Sequence, residues 1–331
     1  MRSWSLLIVL LAVAPAALAA PRPGGGQIAF ASARDGDAEI YVVNADGTGL
    51  KRLTHAAGED TSPVWSPDGS RIAFVGERDG NQEVYVMNAD GSGQKNLTRN
   101  AAEDAHPCWS PDGRRLAFAT DRDGNAEIYT CQADGSGATN ISRHPGWDSE
   151  PVWSPTGDHL AYLTDRDGDQ DIIVCAPDGS SPVDVCRHEA WDGDPRFSPD
   201  GKLLAFRTHR DGNIGLYVCD LSTGRLSNLS QNRVWNEEVD WCADGRRVVY
   251  ATSPQEARLI LVADLPSGTR TVLPGQQGND WTPHWSPTGT QLCFLSDRTG
   301  TVELYVMKDD GTEVRAVGGG EVIDDHPAWR P

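Results

Sequence analysis

Residues 107–142 read PCWSPDGRRLAFATDRDGNAEIYTCQADGSGATNIS, and the fold can be predicted from this segment. It contains four short runs rich in apolar residues, at 107–110, 115–120, 127–132 and 138–142. The segments between them are turn sequences: Pro111 presets φ for the second position of the first turn, and Gly113 closes that turn. Short apolar runs separated by turn residues predict β-strands. The stretch therefore predicts four antiparallel strands, which we call a, b, c and d in chain order.

The same pattern recurs along the chain at a spacing of 44 residues. An aromatic residue stands at the end of strand a in every unit: Trp65, Trp109, Trp153, Phe197, Trp241, Trp285 and Trp329. Residues 24–331 hold seven such units without an insertion or deletion. Four strands in about 44 residues is the size of a propeller blade. The sequence therefore predicts an all-β, seven-bladed β-propeller of four-stranded antiparallel blades.

The two ends of the repeat array complement each other. The first unit begins at Gln27 with strand b and has no strand a of its own. The chain ends with DHPAW at 325–329, which is a strand a without b, c or d. We expect this C-terminal strand to join the first blade, because closing the ring removes the sheet edge that an open array would expose. Trp329 should then pack between blades like its six equivalents.

The N-terminus has the features of an export signal. Arg2 precedes the apolar run 6–13, and Ala17-Leu18-Ala19 is a small-residue cleavage site. We therefore expect a signal peptide at 1–19, a short linker at 20–26 and the propeller at 27–331. The run 6–13 is too short to span a bilayer, and no longer apolar run follows. These features predict a periplasmic or secreted protein that does not span a membrane, and we expect it to be a monomer.

Two recurring segments carry a family resemblance. PVWSPDG at 63–69 and IAFVGERDGNQEVYVMNADG at 72–91, with close copies throughout, resemble the WD40-like repeat of the TolB propeller. This chain differs from TolB itself, which has an α/β domain before a six-bladed propeller. The resemblance implies an exported TolB-like propeller. Because the TolB propeller binds the lipoprotein Pal, it also implies a protein-docking role, without naming the partner.

An acidic residue stands three positions before the strand-a proline in six blades: Asp60, Asp104, Asp148, Asp192, Asp280 and Asp324. Eighteen residues later in the repeat, in the b–c loop, stand Arg78, Arg122, Arg166, Arg210, Arg298 and, across the closure, Arg34. The sixth blade has lost both, with Asn236 and Pro254 in these places. The joint loss predicts structural Asp–Arg pairs, because Arg binds a carboxylate with two parallel hydrogen bonds. The alternative is a Ca²⁺ site at the channel mouth, built from the ring of carboxylates.

The residue just before the strand-a proline position varies from blade to blade, which makes it a candidate for binding. His106, Glu150, Asp194, Glu238 and His326 occupy it in five blades. Three tryptophans stand three residues earlier in blades 4 to 6: Trp147, Trp191 and Trp235. Tryptophan beside carboxylates predicts a docking surface for a basic protein or peptide. The alternative is that these tryptophans cap the cores between blades.

Composition limits the function further. The formal net charge of −19 disfavours nucleic acid and other polyanions as partners. The chain has no G-x-S-x-G or H-E-x-x-H motif, so the sequence indicates neither catalytic residues nor a cofactor. We therefore predict a non-catalytic protein-binding scaffold. The alternative is a carbohydrate-active propeller, either a lectin or an enzyme resembling the metal-dependent polysaccharide lyases.

Overall fold

The computed structural model describes residues 26–331 apart from 79, 187, 232–233, 254–256, 321 and 323–326. Twenty-eight strands form seven four-stranded antiparallel sheets. Strand a of each blade contacts strand a of the next blade, and the last contact returns to the first blade. The predicted seven-bladed propeller is therefore confirmed. The predicted signal peptide lies outside the described residues.

The strands follow the repeat. Blade 1 contains β1 (Gln27–Ser32), β2 (Glu39–Asn44), β3 (Lys51–Arg52) and, from the C-terminus, β28 (Ala328–Trp329). Blades 2 and 3 contain β4 (Asp60–Trp65), β5 (Arg71–Glu77), β6 (Gln82–Asn88), β7 (Lys95–Asn96), β8 (Asp104–Trp109), β9 (Arg115–Thr120), β10 (Glu127–Gln132) and β11 (Thr139–Asn140). Blades 4 and 5 contain β12 (Asp148–Trp153), β13 (Leu160–Thr164), β14 (Asp171–Cys175), β15 (Val183–Asp184), β16 (Asp192–Phe197), β17 (Leu203–Thr208), β18 (Gly215–Asp220) and β19 (Arg225–Asn228). Blades 6 and 7 contain β20 (Trp235–Trp241), β21 (Arg247–Ser253), β22 (Leu259–Asp264), β23 (Thr269–Val272), β24 (Asp280–Trp285), β25 (Gln291–Ser296), β26 (Glu303–Lys308) and β27 (Arg315–Ala316).

The core consists of layers between neighbouring blades. Strands b and c are apolar on both faces because each blade is covered on both sides. One layer, for example, packs Ala73 and Val84 of blade 2 against Leu116 and Phe118 of blade 3. Seven such clusters are present in the described residues. Burial of this apolar surface is the main stabilising contribution to the ring.

Among the described residues, the strand-a tryptophan of four blades donates a hydrogen bond to the blade before it. The Trp109 indole nitrogen donates a hydrogen bond to the Val64 carbonyl of the preceding blade at 3.2 Å. Arg71, also from the preceding blade, lies over the same indole ring at 4.5 Å from its centre. Trp241 and Trp329 make the equivalent indole hydrogen bonds, each at 3.0 Å. Tryptophan at this position therefore combines burial with directional bonding between blades.

The C-terminal strand closes the ring as predicted. In β28, Trp329 pairs with Ile28 and Ala328 pairs with Ala29, both antiparallel to β1. The Trp65 indole nitrogen donates to the Ala328 carbonyl at 3.1 Å, so blade 2 also binds the closing strand. Trp329 is buried. Blade 1 is thus completed by the two ends of the described chain.

Two further features bear on the sequence analysis. All seven cysteines are unbridged, and six of them are buried. They act as small apolar residues in the blade cores. Within the described ranges, no helix is long and apolar enough to cross a membrane.

Candidate functional site

Five described aspartates begin strand a, and all are fully buried. Because Asp60 lies opposite Gly76 near the end of strand b, its carboxylate faces the b–c loop that carries Arg78. The nearest carboxylate–guanidinium distances are 2.8 Å for Asp60 with Arg78, 3.0 Å for Asp104 with Arg122, 3.3 Å for Asp192 with Arg210 and 2.9 Å for Asp280 with Arg298. Burial raises the pKa of Asp60, and the Arg78 guanidinium opposes that rise. Each arginine also stacks on aromatic rings of its own blade, as Arg78 does on Tyr85 at 4.5 Å.

Blades 4 and 6 depart from this arrangement. In blade 4, Arg166 donates to the Tyr162 hydroxyl at 3.1 Å and lies 3.9 Å from Asp148. In blade 6 the Asn236 amide is buried and donates to the carbonyls of Ile214 and Val234, each at 2.9 Å. A neutral amide that bonds the backbone needs no cationic partner, which accounts for the absence of an arginine there.

Of the pair predicted across the closure, Asp324 with Arg34, only Arg34 is among the described residues. Asp324 and Pro254 are not among the described residues. Arg34 donates to the carbonyls of Gly318 and Gly319 at 2.5 and 3.2 Å. In the described part of the chain, no group of three or more His, Cys, Asp or Glu side chains could hold a metal ion.

The variable position before the strand-a proline coincides with a β-bulge. The pairing of β12 with β13 shifts register between Ser149 and Val152, which leaves Glu150 unpaired. The bulge residue has a positive φ, between 37° and 52°, in every blade where it is described: Ser62, His106, Glu150, Asp194, Glu238 and Thr282. We call these six residues the upper ring. The left-handed conformation costs a non-glycine residue about 1 kcal/mol, and such strain is concentrated at functional positions.

A second set of side chains lies next to the channel, two residues further along strand a. We call it the lower ring: Val64, Cys108, Val152, Arg196, Asp240, His284 and Ala328. All seven are partly exposed, whereas the residues on either side of them in strand a are buried. Four members are apolar or weakly polar, and the other three, in blades 5 to 7, are ionisable.

The three tryptophans of the predicted docking surface are not equivalent. Trp147 and Trp235 are 59% and 57% exposed, so neither caps a core between blades. Trp191 is partly buried against Gly193, where an added Cβ atom would lie 2.6 Å from the indole ring. His209 makes edge contacts with both Trp191 and Trp235, with ring centres 5.6 and 6.4 Å apart. The structure therefore brings Trp191, His209 and Trp235 into one aromatic cluster across blades 5 and 6.

The acidic part of this surface contains a cation that the sequence analysis missed. Asp194 forms an ion pair with Arg207, whose guanidinium also lies over the Trp191 ring at 5.2 Å. Asp194 thus adds little net negative charge to the surface. A signal for Arg207 was present, because the equivalent residues in the other blades are all apolar: Ala31, Val75, Ala119, Leu163, Ala251 and Leu295.

The other described residues of the predicted docking surface lie in different blades, outside the aromatic cluster. Glu150 is partly exposed in blade 4 and His106 is exposed in blade 3. Glu238 is partly exposed in blade 6, and its neighbour Glu237 forms an ion pair with Arg258 at 3.3 Å. His326 lies outside the described residues.

The closed ring of seven blades and the strand-a channel define this chain as a seven-bladed β-propeller. The TolB beta propeller domain family matches it at residues 11–106, 63–162, 97–194 and 136–272. The chain belongs to this family.

Solved structures with the same fold differ in what they do. TolB from Acinetobacter baumannii is 24% identical, with a TM-score of 0.62 over 80% of this chain and 67% of that one. A puromycin hydrolase is 17% identical, with a TM-score of 0.74 over 92% of this chain and 54% of the other. An oligogalacturonate lyase in complex with manganese is 17% identical, with a TM-score of 0.68 over 86% of each chain. The chain thus spans about half the length of the hydrolase, and these identities establish the fold alone.

Proposed function

We propose that this chain is an exported, non-catalytic scaffold that binds a protein or peptide at the channel mouth formed by the d–a and b–c loops. The docking surface consists of Trp147, Trp191 and Trp235 together with Glu150 and Glu238. The observation that carries the proposal is the exposure of Trp147 and Trp235, each above half of its surface. Exposed tryptophan is costly to leave in water and is enriched at binding hot spots.

A partner of basic character suits this surface. The chain has a net charge of −19, so a cationic partner is attracted over a long range. An arginine or lysine of the partner can lie over an exposed indole while its charge meets Glu150 or Glu238. Asp194 is already paired with Arg207, so it contributes to the rigidity of the surface more than to its charge.

Export is part of the same proposal. Residues 1–19 have the charged start, apolar run and cleavage site of a signal peptide. Expression of the full chain, followed by separation of periplasm, medium and cytoplasm, should yield a protein that lacks these residues outside the cytoplasm. Full-length protein retained in the cytoplasm would contradict export without affecting the docking proposal.

The docking surface can be tested with an array of peptides that vary in net charge at constant hydropathy. We expect the purified propeller to retain basic peptides, and Trp147→Ala and Trp235→Ala to weaken retention by at least about tenfold each. Val272→Ala is the matched control, because Val272 is 52% exposed on an outer strand away from the channel. Equal retention by all three variants would reject this surface.

A carbohydrate-active function is the second candidate. The cluster of Trp191, His209 and Trp235 offers aromatic faces on which a sugar ring could stack. A lectin would bind on a glycan array and lose that binding in Trp235→Ala. A metal-dependent lyase would retain a transition metal through purification, detected by elemental analysis, and would cleave a polysaccharide.

A further inference from the structure

The lower ring divides the channel wall into two unlike halves. Ala328, Val64, Cys108 and Val152 stand in blades 1 to 4. Arg196, Asp240 and His284 stand in the corresponding places of blades 5 to 7. A blade does not need an ionisable residue here, because four blades fold without one. The charged half is therefore a local feature of one side of the channel.

The charged half opens into a cavity at the channel mouth formed by the a–b turns, opposite the proposed docking surface. This cavity has a volume of about 590 Å³. Its walls are the rings of five prolines, the side chains of Phe197, Trp241, Trp285 and Trp329, and the ionisable pair Asp240 and His284. We call it the proline funnel. An open pocket with mainly apolar walls and a few convergent polar groups is one form that a small-ligand site takes.

Strand a of blade 7 supplies polar atoms that are not satisfied within the described protein. His284 Nε2 and Trp285 Nε1 are buried and have no hydrogen-bond partner among the described residues, and both side chains line the proline funnel. The equivalent indole nitrogens of Trp65, Trp109, Trp241 and Trp329 donate to carbonyls, whereas that of Trp153, outside the funnel, also has no partner among the described residues. The two adjacent residues His284 and Trp285 therefore place unsatisfied polar groups in the wall of the funnel.

Asp240 provides the fixed charge of the funnel. Its two carboxylate oxygens accept backbone N–H groups of Trp241 at 2.9 Å and Trp285 at 2.7 Å, which hold it in place. His284 Nδ1 lies 3.8 Å from the same carboxylate. Arg196 does not line the funnel and donates to the carbonyl of Pro195.

We propose that the proline funnel binds an organic ammonium ion with a compact apolar body. The ammonium group lies against the Asp240 carboxylate, while the apolar body packs on the proline and tryptophan rings. A cation is favoured because the Asp240 carboxylate is held in the funnel wall by two backbone N–H groups. This site is independent of the docking surface, which lies at the other mouth.

The test uses 2-phenylethylamine, titrated by isothermal calorimetry and followed by NMR of the tryptophan indole N–H groups. We expect saturable binding, with the Trp285 indole resonance shifting and the Trp109 resonance unchanged. Asp240→Asn, which keeps an oxygen for the Trp285 N–H, should weaken binding at least about tenfold. Asp178→Asn is the control, because it removes the same charge from an exposed turn outside the funnel.

The chemical class is tested with related probes. The anion 3-phenylpropionate and the neutral 2-phenylethanol should bind at least about tenfold more weakly than the amine. Binding of N-acetyl-lysinamide as tight as that of the amine would identify a lysine side chain of a polypeptide as the source, and weaker binding a free amine. Equal binding of the anion, or an unmoved Trp285 resonance in wild-type protein, would overturn the proposal. Trp147→Ala and Trp235→Ala should leave this titration unchanged, which separates it from the docking proposal.

Discussion

Replacing Asp171 with asparagine should stabilise the propeller at alkaline pH and leave it unchanged at acidic pH. Asp171 begins β14 and is only 4% exposed, and its Oδ1 atom has no hydrogen-bond partner among the described residues. In three other blades the equivalent glutamate has a donor: Arg52 for Glu39, Thr98 for Glu83 and Asn140 for Glu127. In blade 4 the residue that corresponds to Arg52 and Asn140 is Asp184, a like charge.

The magnitude follows from the titration of this carboxyl group. Burial, with further contributions from Asp184 and Asp169, raises the pKa of Asp171 from 3.8 to about 7. The folded state therefore holds a proton that the unfolded state has released, and stability falls as pH rises from about 4 to about 7. The difference corresponds to about 4 kcal/mol, and solvent screening through its partly exposed neighbours reduces the expected effect to about 1–2 kcal/mol.

Urea unfolding of the wild type and Asp171→Asn at pH 4 and pH 8 measures this effect directly. The variant should gain about 1–2 kcal/mol at pH 8, seen also as a rise of about 2–4 °C in melting temperature, and nothing at pH 4. Asp178→Asn in the same blade is the control, since hydrogen bonds from Ser180 lower the pKa of Asp178 and its removal should bring no gain. An equal gain at both pH values, or none at pH 8, would show that the charge on Asp171 does not destabilise the folded state.

The remaining predictions concern the ring, its closure and the bulge. Asn236→Asp places a carboxylate without an arginine partner in a fully buried site, which should lower the free energy of unfolding by about 3 kcal/mol at pH 7 and by less at pH 4. Equal urea midpoints for the variant and the wild type at pH 7 would contradict this prediction. Asp104→Ala and Arg122→Ala should show a coupling energy of about 1–3 kcal/mol in a double-mutant cycle. Additive losses in the free energy of unfolding would mean that the 3.0 Å contact does not stabilise the folded state. Trp329→Ala should lower the free energy of unfolding by about 3–5 kcal/mol and Trp329→Phe by about 1 kcal/mol, since Phe197 fills the same place in blade 5. A chain ending before Asp324 should lose its cooperative melting transition in calorimetry, and an unchanged transition would disprove closure. Glu150→Gly should raise the unfolding free energy by about 0.5–1 kcal/mol and Glu150→Val should lower it, because φ is 48° at this position; the reverse order would show that the bulge adapts.

The fold could be predicted from the sequence because a strict repeat multiplies every local signal by seven. Blade number follows from the 44-residue spacing, and closure follows from a strand a that stands alone at the end of the chain. Strand d was predicted too long, at 138–142, whereas the structure has Thr139–Asn140. The reason is that the Ser142 hydroxyl, and not a backbone carbonyl, accepts the Ile128 N–H at 3.0 Å. A side chain that replaces a backbone hydrogen-bond acceptor at the end of a strand leaves the pattern of apolar residues unchanged, so that pattern does not show where the strand ends.

The sites were predicted less completely, for a physical reason. The left-handed bulge at Glu150 arises from the register between two strands, and the pattern of a single strand does not contain that register. Arg207 and the lower ring, in contrast, are visible when equivalent positions are compared across the blades. Arg207 and the ionisable members of the lower ring depart from the apolar residues that other blades have at the same positions. In a repeat protein, a residue that differs from its equivalents in the other repeats is therefore a candidate for function.

The closing strand also governs when the protein can finish folding. Because β28 follows blades 2 to 7 in the chain, those blades can assemble during synthesis while β1 waits for its partner. Pairing residues separated by nearly the whole chain is slow, since loop-closure entropy must be overcome before the contact forms. During that interval the unpaired edge of β1 is the place where a nascent chain is open to aggregation or chaperone binding, and pairing with β28 ends that exposure.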